Sequence, residues 1–497
     1  VEISTRHNVS LITLLSFVIL IPFWTLPESI IDTARYFTQA KYLSLYGLSS
    51  YVTNWGESIF SWTDMPVVPL LYGTAFRIFG ESRVVIQIIT SLFFSGTVLL
   101  TYLIGKELWS DAHGILAALF LLGVPYLYSQ VPLMMVDIPA MFFIMLAVYF
   151  TIVAVNQGKP FVIAAATVVI TLALFTKYSA WIFLSVIPLI LLTCEQQAWR
   201  LSVKRMFMIT GMVLILCVTV FVYKYEVFMQ QFHILLNYQL AALSGWEESN
   251  VSTFLFQVHP FITVGAVLSV FIAIKNRDKK FIVISWMLIL VFLFQIQRIR
   301  YLLIVFPMLA LVSAYALSAL NSHRLKLFIA YGVAFSSYVM ALVIGLSFLP
   351  SISANNIKLA GEYLNTTNVK IVEVMVLPQT RSIINPEISV PVLDYHTNKR
   401  LVYNRSGDDR KITVPENVHV SPVKFTWDYT MPEYYSYESH MKQGRDAIAL
   451  VYSSAGQLDS NAVKSALSGY RLVKEFSSQS KIFKYKTLVN VYLPVKT

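Results

Sequence analysis

Seven ionisable side chains stand at the ends of apolar segments of this sequence, at a depth where a charge is costly. They are Glu28, Asp32, Asp64, Asp137, Lys177, Arg298 and Arg300. A carboxylate can act as a general base, and Lys or Arg can hold a phosphate by charge-assisted hydrogen bonds. Each residue alone could equally be an interface anchor whose charge turns toward water. Seven of them on one side of the apolar segments, with none in mid-segment, favour a shared site.

The composition indicates that lipid is the solvent for most of this chain. Of its 497 residues, 56% are hydrophobic and 13% are charged, and the mean hydropathy is +0.63. Soluble domains have about twice this share of charged residues, and one water-soluble core could not hide so much apolar surface. The net charge of +11 does not favour nucleic acid as a partner, because most Lys and Arg lie in loops between apolar segments.

The apolar segments predict a polytopic α-helical membrane protein with about 11 transmembrane helices and a C-terminal small α/β extracytoplasmic domain. The predicted spans are residues 10–26, 84–105, 114–129, 138–155, 161–175, 178–194, 206–223, 258–275, 281–295, 301–320 and 326–349. They form a predicted transmembrane domain of residues 1–350, with longer outer loops at 27–83 and 224–257. In the first loop, residues 33–46 predict a helix that lies either in the membrane interface or on top of the bundle.

The distribution of Lys and Arg predicts the orientation in a plasma or inner membrane. With the N-terminus in the cytoplasm, the short outer loops carry only Lys177, Arg298 and Arg300. The cytoplasmic segments carry Arg6, Lys106, Lys159, Arg200, Lys204, Arg205, Lys275, Arg277, Lys279, Lys280, Arg324 and Lys326. This asymmetry is the positive-inside pattern. An odd number of spans then places the C-terminal domain outside.

Residues 351–497 are predicted to form the soluble α/β domain, because the density of charged residues doubles after Pro350. Strand-like runs occur at 369–377, 447–452 and 482–493, and residues 459–470 predict a helix capped by Asp459 or Ser460. An aromatic cluster between Trp427 and Tyr437 could bind a sugar or a partner, or could belong to a structural loop.

Five short motifs follow one another across residues 10–320. They are Asp32-Thr-Ala-Arg-Tyr36; Pro66-Val-Val-Pro-Leu-Leu-Tyr72 followed by Gly80-Glu-Ser-Arg83; Asp137-Ile-Pro139; Thr176-Lys177-Tyr178; and Arg298-Ile-Arg-Tyr-Leu-Leu-Ile-Val-Phe-Pro307. Their order resembles that of membrane glycosyltransferases of the C-type fold, most closely the protein O-mannosyltransferase and lipid A aminoarabinose transferase family. The family's first motif is close to Asp-Glu-Ala-Arg-Tyr, so Thr33 replaces its second acid.

The resemblance implies transfer of a sugar from a polyprenyl-phosphate donor to a protein or glycolipid acceptor outside the cytoplasm, with inversion at the sugar carbon. It implies that Asp32 is the general base and that Asp137 orients the loop or the acceptor. The lipid phosphate would be held by Lys177, Arg298 and Arg300. Further substrate-binding residues are predicted to be Glu28, Arg35, Tyr36, Asp64, Arg83 and Tyr301. No cofactor is specified; a divalent metal is left open, although Thr33 removes one of two carboxylates that such a site could use.

Two other functions stay open. A non-catalytic subunit could keep the transferase fold and bind a partner subunit through the C-terminal domain, and the replacement at Thr33 is consistent with it. A lipid or solute transporter would be indicated by mid-span charges or Gly/Pro breaks in two related halves. The sequence shows no such halves, and its mid-spans are nearly free of charge.

Overall fold

The computed structural model describes residues 2–239, 249–352, 354–377, 384–403, 424–436, 445–478 and 486–495. Most of these residues are helical. The α-helices of six residues or more are Glu2–Val18, Ile30–Asn54, Val67–Phe79, Arg83–Leu108, Asp111–Leu121, Pro125–Gln130, Asp137–Gln157, Pro160–Leu174, Tyr178–Phe183, Trp199–Tyr223, Tyr225–Ile234, Pro260–Asn276, Lys280–Leu293, Phe306–Ser318, His323–Met340, Ala354–Asn365, Ser389–Tyr395 and Asn461–Ala466.

Within the described residues, five helices are long and apolar enough to cross a membrane, or up to seven if two bent pairs each count as one span. The five are Arg83–Leu108, Asp137–Gln157, Gln196–Tyr223, Ile299–Ser318 and His323–Ser351. The chain is therefore a multi-pass membrane protein. The remaining predicted spans coincide with the bent pairs or with shorter apolar helices, so the count of 11 stays a prediction.

The helix Ile30–Asn54 is bent by 108° relative to Val9–Thr25, which lies on the first predicted span. It is called the outer helix, after the side of the membrane predicted for it. Residues 32–40 are all buried, whereas Tyr46 is half exposed. The first part of this helix is thus packed against the protein, as one of the two sequence interpretations proposed. At Gly47 the backbone has φ +86°, a conformation that glycine adopts without strain, and the helix bends there.

Five strands after residue 350 form one mixed sheet in the order β2-β1-β3-β5-β4. The strands are β1 (Ile371–Val376), β2 (Arg400–Tyr403), β3 (Ala447–Tyr452), β4 (Tyr470–Phe476) and β5 (Leu488–Pro494). β1 pairs in parallel with β2 and β3, while β5 runs antiparallel to β3 and β4. Buried residues of the sheet form one apolar cluster with Ala34 of the outer helix and with Trp62.

Three of these strands lie on predicted runs, and two do not. The predicted run 482–493 begins outside the described residues, and its described part contains β5. β2 has only four residues, too few to show an alternating pattern. The predicted helix of residues 459–470 ends at Ala466, and an edge strand follows with charged residues, as edge strands usually carry. Ser460 caps this helix by accepting a hydrogen bond from the Val463 N–H.

Thiol labelling tests the predicted orientation, which rests on the Lys and Arg distribution alone. In a background with Cys194 and Cys217 replaced by serine, an Asp459→Cys variant should react with a membrane-impermeant maleimide added outside intact cells. The Asp459 side chain is 83% exposed, so access depends only on the side of the membrane. The matched Lys279→Cys variant should react only after the cells are lysed. Labelling with the opposite sidedness would contradict the orientation.

Candidate functional site

Four charged side chains from four separate segments, two of them buried and two partly buried, form one chain of ion pairs. Arg300 donates hydrogen bonds from Nη1 to Asp32 and from Nε to Asp137 Oδ2, the latter at 2.9 Å. The Lys177 ammonium lies 2.6 Å from the second oxygen of Asp137. The side chain of Asp137 has no exposed surface, and those of the other three are at most 16% exposed. The predicted proximity of Lys177 and Arg300 is therefore present in the structure.

The local backbone directs each of these groups toward the others. Asp32 and Asp137 lie in the first turns of their helices, where a carboxylate interacts favourably with the helix dipole. Lys177 stands in extended conformation between two helices, in a short turn. Arg300 lies in the short helix Ile299–Leu302, which leads into a span. These helix ends lie close together, so charged side chains from four different segments come into contact.

The Asp32 carboxyl is ionised in this arrangement. Burial alone would raise the pKa of Asp32, but the ion pair and hydrogen bond with Arg300 outweigh burial and hold that pKa well below its ordinary value. The Ser29 hydroxyl donates a further hydrogen bond of 2.8 Å to the same carboxylate. A carboxylate stabilised in this way is a weak base as long as Arg300 remains bound to it.

A second ion pair lies on the same side of the outer helix. Arg35 makes a bidentate contact with Asp64, and Gln39 donates to Asp64 at 3.0 Å. The Tyr36 side chain is buried and belongs to an apolar cluster with Val68, Tyr72 and Met134. The Asp64 carbonyl accepts from Gln231, which in turn accepts from the Tyr178 hydroxyl at 2.7 Å. Gln231, which belongs to the predicted outer loop 224–257, thereby contacts the residue next to Lys177.

A third cluster holds the turn between the first span and the outer helix. Arg83 donates to Glu28 at 2.8 Å, and also to the carbonyls of Trp24 and Leu26. Glu28 accepts a second and a third hydrogen bond, from the Thr33 hydroxyl and from the Met134 N–H. These contacts favour a positioning role for Glu28 and Arg83, which are not joined to the Arg300 cluster by any hydrogen bond described.

Arg298 and Tyr301 lie beside the cluster. The Tyr301 ring has the Lys177 ammonium 4.7 Å from its centroid and the Arg298 guanidinium 5.4 Å from it, both within the range of cation–π contact. Sequence reasoning did not single out Ser29, Gln39, Gln231 or Tyr178 as site residues. Ser29 could have been found as a helix N-cap residue three positions before Asp32. The two glutamines carry no sequence signal, because amides suit many environments.

The donor set does not fit a divalent metal. In the part of the chain that the structure describes, no three His, Cys, Asp or Glu side chains group closely enough to hold one. Each of the four carboxylates is already neutralised by a basic side chain: Asp32 and Asp137 by Arg300, Asp64 by Arg35, and Glu28 by Arg83. No chemical step below is therefore assigned to a metal.

Comparison with known proteins bears on the family resemblance and on the fold. The family model described as dolichyl-phosphate-mannose-protein mannosyltransferase matches residues 64–223. ArnT from Cupriavidus metallidurans bound to undecaprenyl phosphate superposes with a TM-score of 0.57 at 14% identity, covering 97% of each chain. The chain has the C-type fold of membrane glycosyltransferases. The predicted resemblance to the protein O-mannosyltransferase and lipid A aminoarabinose transferase family is thus confirmed.

A second C-type-fold structure has a comparable likeness. It is the archaeal oligosaccharyltransferase AglB from Archaeoglobus fulgidus in complex with an inhibitory peptide and a dolichol-phosphate. Its TM-score is 0.51 at 11% identity, with 99% of this chain and 76% of that chain covered. No curated protein matches the sequence. At these identities the solved structures show the fold, and the chemistry must be argued from this chain's own site.

Arg83→Ala should destabilise the protein, because the change leaves the buried Glu28 carboxylate without its cation. The expected loss in unfolding free energy is on the order of 3 kcal/mol, the usual cost of breaking a buried ion pair. The midpoint of denaturant unfolding in detergent measures it. The exposed Arg77 is the control, and Arg77→Ala should change the unfolding free energy by less than about 1 kcal/mol. Equal effects of both changes would contradict the positioning role.

Proposed function

We propose that this protein transfers a sugar from a polyprenyl-phosphate donor to a protein or glycolipid acceptor on the outer side of the membrane. The observation that carries the proposal is the largely buried chain Asp32–Arg300–Asp137–Lys177, in which a carboxylate lies next to two cations. The C-type fold supports it, as do a relative bound to undecaprenyl phosphate and another bound to a dolichol-phosphate.

In the proposed reaction Asp32 removes the proton of the acceptor's nucleophilic group. The acceptor then forms a bond to the anomeric carbon of the sugar, and the bond between that carbon and the phosphate oxygen breaks. Its electron pair stays on the phosphate, which leaves as polyprenyl phosphate. A single displacement of this kind inverts the configuration at the sugar carbon.

Arg300 and Lys177 are proposed to bind the donor phosphate, whose charge they would neutralise as the sugar leaves. A guanidinium suits a phosphate because two parallel N–H groups match two oxygens. Arg300 already contacts Asp32, so a phosphate at this position competes with that carboxylate for the same donors. Donor binding would then weaken the hold on Asp32 and raise its basicity. Asp137 keeps both cations in place.

The C-terminal domain, residues 351–497, is proposed to lie outside the membrane, on the side where the acceptor is bound. We propose the same domain as the part of the chain that would contact a partner subunit. A non-catalytic role remains the second candidate, because Thr33 takes the position of the family's second acid and its hydroxyl hydrogen-bonds to Glu28 at 3.2 Å.

Asp32→Asn should abolish most turnover while the protein folds and still binds the donor. General-base catalysis contributes roughly 10²- to 10⁴-fold in rate, and we expect a loss in kcat of that size. The measurement is transfer from a polyprenyl-phosphate sugar by the purified protein, together with donor affinity. Normal turnover of this variant would exclude Asp32 as the base. No transfer by the wild type with any such donor would favour the non-catalytic candidate.

Arg300→Ala should weaken donor binding, because it removes the guanidinium that faces both carboxylates and leaves their charge to repel the phosphate. The expected loss is about 2 kcal/mol or more, roughly 30-fold in Kd, for a desolvated charge contact. Binding of undecaprenyl phosphate to the purified protein measures it. Arg324→Ala is the control, because Arg324 is exposed and lies in a predicted cytoplasmic segment. Unaltered affinity in the Arg300 variant would remove this residue from the phosphate site.

A further inference from the structure

The outer helix has two faces with different partners. In an α-helix each residue is rotated by about 100° from the one before it, so positions nine apart lie on opposite faces. Asp32 and Lys41 are such a pair, about 14 Å apart along the axis at about 1.5 Å per residue. The face of Asp32 also carries Arg35 and Gln39, whose contacts with Asp64 belong to the site, and the buried Tyr36. The opposite face carries Ala34, Phe37, Thr38 and Lys41.

This opposite face is covered by segments of the C-terminal domain. The Thr38 hydroxyl lies 3.2 Å from the hydroxyl of Tyr429, and its carbonyl accepts from Tyr434 at 3.3 Å. The Phe37 ring packs on Tyr395, with ring centroids 5.4 Å apart. The described part of the aromatic cluster between Trp427 and Tyr437 is therefore docked on the outer helix through Tyr429 and Tyr434.

The same face also carries a nearly buried ion pair. Lys41 Nζ lies 2.6 Å from Asp394, and the Asp394 side chain is 4% exposed. The Tyr435 hydroxyl donates to the same carboxylate. The rings of Phe37, Tyr434 and Tyr435 surround the ammonium, each with its centroid within 6 Å. Lys41 also lies 3.0 Å from Glu81, a partly exposed residue of the connection between two helices.

A pair of this kind is costly to bury, and apolar residues of the same volume would often be at least as stable. What an ion pair adds is a fixed geometry, because its hydrogen bonds tolerate little displacement. In this protein the Lys41–Asp394 pair fixes the outer helix, and the outer helix carries the Asp32 that contacts Arg300. A misplacement of about 1 Å at a catalytic group can cost 100-fold in rate.

We propose that Asp394 and Tyr435 of the C-terminal domain are positioning residues, which hold the outer helix through Lys41 so that Asp32 meets the acceptor. The C-terminal domain is then a structural part of the active site. The kinetic consequence of this inference rests on the proposed function, whereas its structural consequence does not. Two measurements on the full-length protein separate them.

The first measurement is hydrogen–deuterium exchange of the outer helix, which needs no substrate. In Asp394→Asn, the backbone amides of residues 32–41 should exchange about tenfold or more faster than in the wild type, because local opening is easier without the ion pair. Glu81→Gln is the matched control: it removes the other carboxylate of Lys41 and leaves the contact with the C-terminal domain intact. Unchanged exchange in Asp394→Asn, or equal acceleration in both variants, would overturn the proposal. If Asp394→Asn does not fold, Tyr435→Phe takes its place in every arm.

The second measurement is transfer kinetics. Asp394→Asn should lower kcat by about tenfold to 100-fold, with the KM for the donor within about twofold, since the phosphate-binding cations are untouched. Introduced into an Asp32→Asn background, the same change should cost nothing more, because a residue that acts through Asp32 has no further effect once Asp32 is gone. Equal losses in both backgrounds would indicate a general structural effect and overturn the proposal. A wild type that transfers no sugar would defeat the proposed function alone, and the exchange measurement would still decide this inference.

Discussion

The Arg300 guanidinium is shared by two buried carboxylates, and the segments at this end of the helical bundle are arranged around it. Asp137 begins one span, Asp32 begins the outer helix, and Arg300 itself leads into a third helix. Lys177 closes the chain from a fourth segment. Removal of one member would leave an unpaired charge in a nearly water-free place, which costs about 3–5 kcal/mol. The pairing therefore fixes the relative position of four segments that are far apart in sequence.

The same pairing would allow the proposed site to be electrostatically stable and still reactive. Two carboxylates and two cations balance, so the cluster is tolerated without a bound substrate. An incoming phosphate changes that balance, because it offers Arg300 and Lys177 a second anion. The partner that loses contact most easily is Asp32, since Asp137 has no exposed surface and is held by both cations. The carboxylate proposed as the base is thus the one that donor binding would release.

Much of this arrangement could be predicted from the sequence, because charges at the ends of apolar segments are rare and must find partners. Asp32, Asp137, Lys177 and Arg300 are recognisable in this way, and the order of the motifs indicates the C-type fold. The pairing of Arg35 with Asp64 and the role of Arg83 in the turn could not be predicted, since nothing in the spacing of these residues shows which cation faces which acid. The edge strand β4 was missed because its charged residues hide the alternation that identifies a strand.

The contact between Lys41 and Asp394 could not be predicted from sequence patterns. The two residues are 353 positions apart, and neither lies in a motif. In the sequence, Lys41 cannot be distinguished from any basic residue of a surface helix, because its partner belongs to the C-terminal domain. The tyrosines beside Asp394 suggest a binding surface in the sequence, whereas in the structure they pack against the outer helix. A helix whose one face carries the proposed base and whose other face carries a buried ion pair cannot shift toward either side without breaking a charge contact. The outer helix is therefore held from both sides by the same kind of interaction, and the position of Asp32 depends on residues in both parts of the chain.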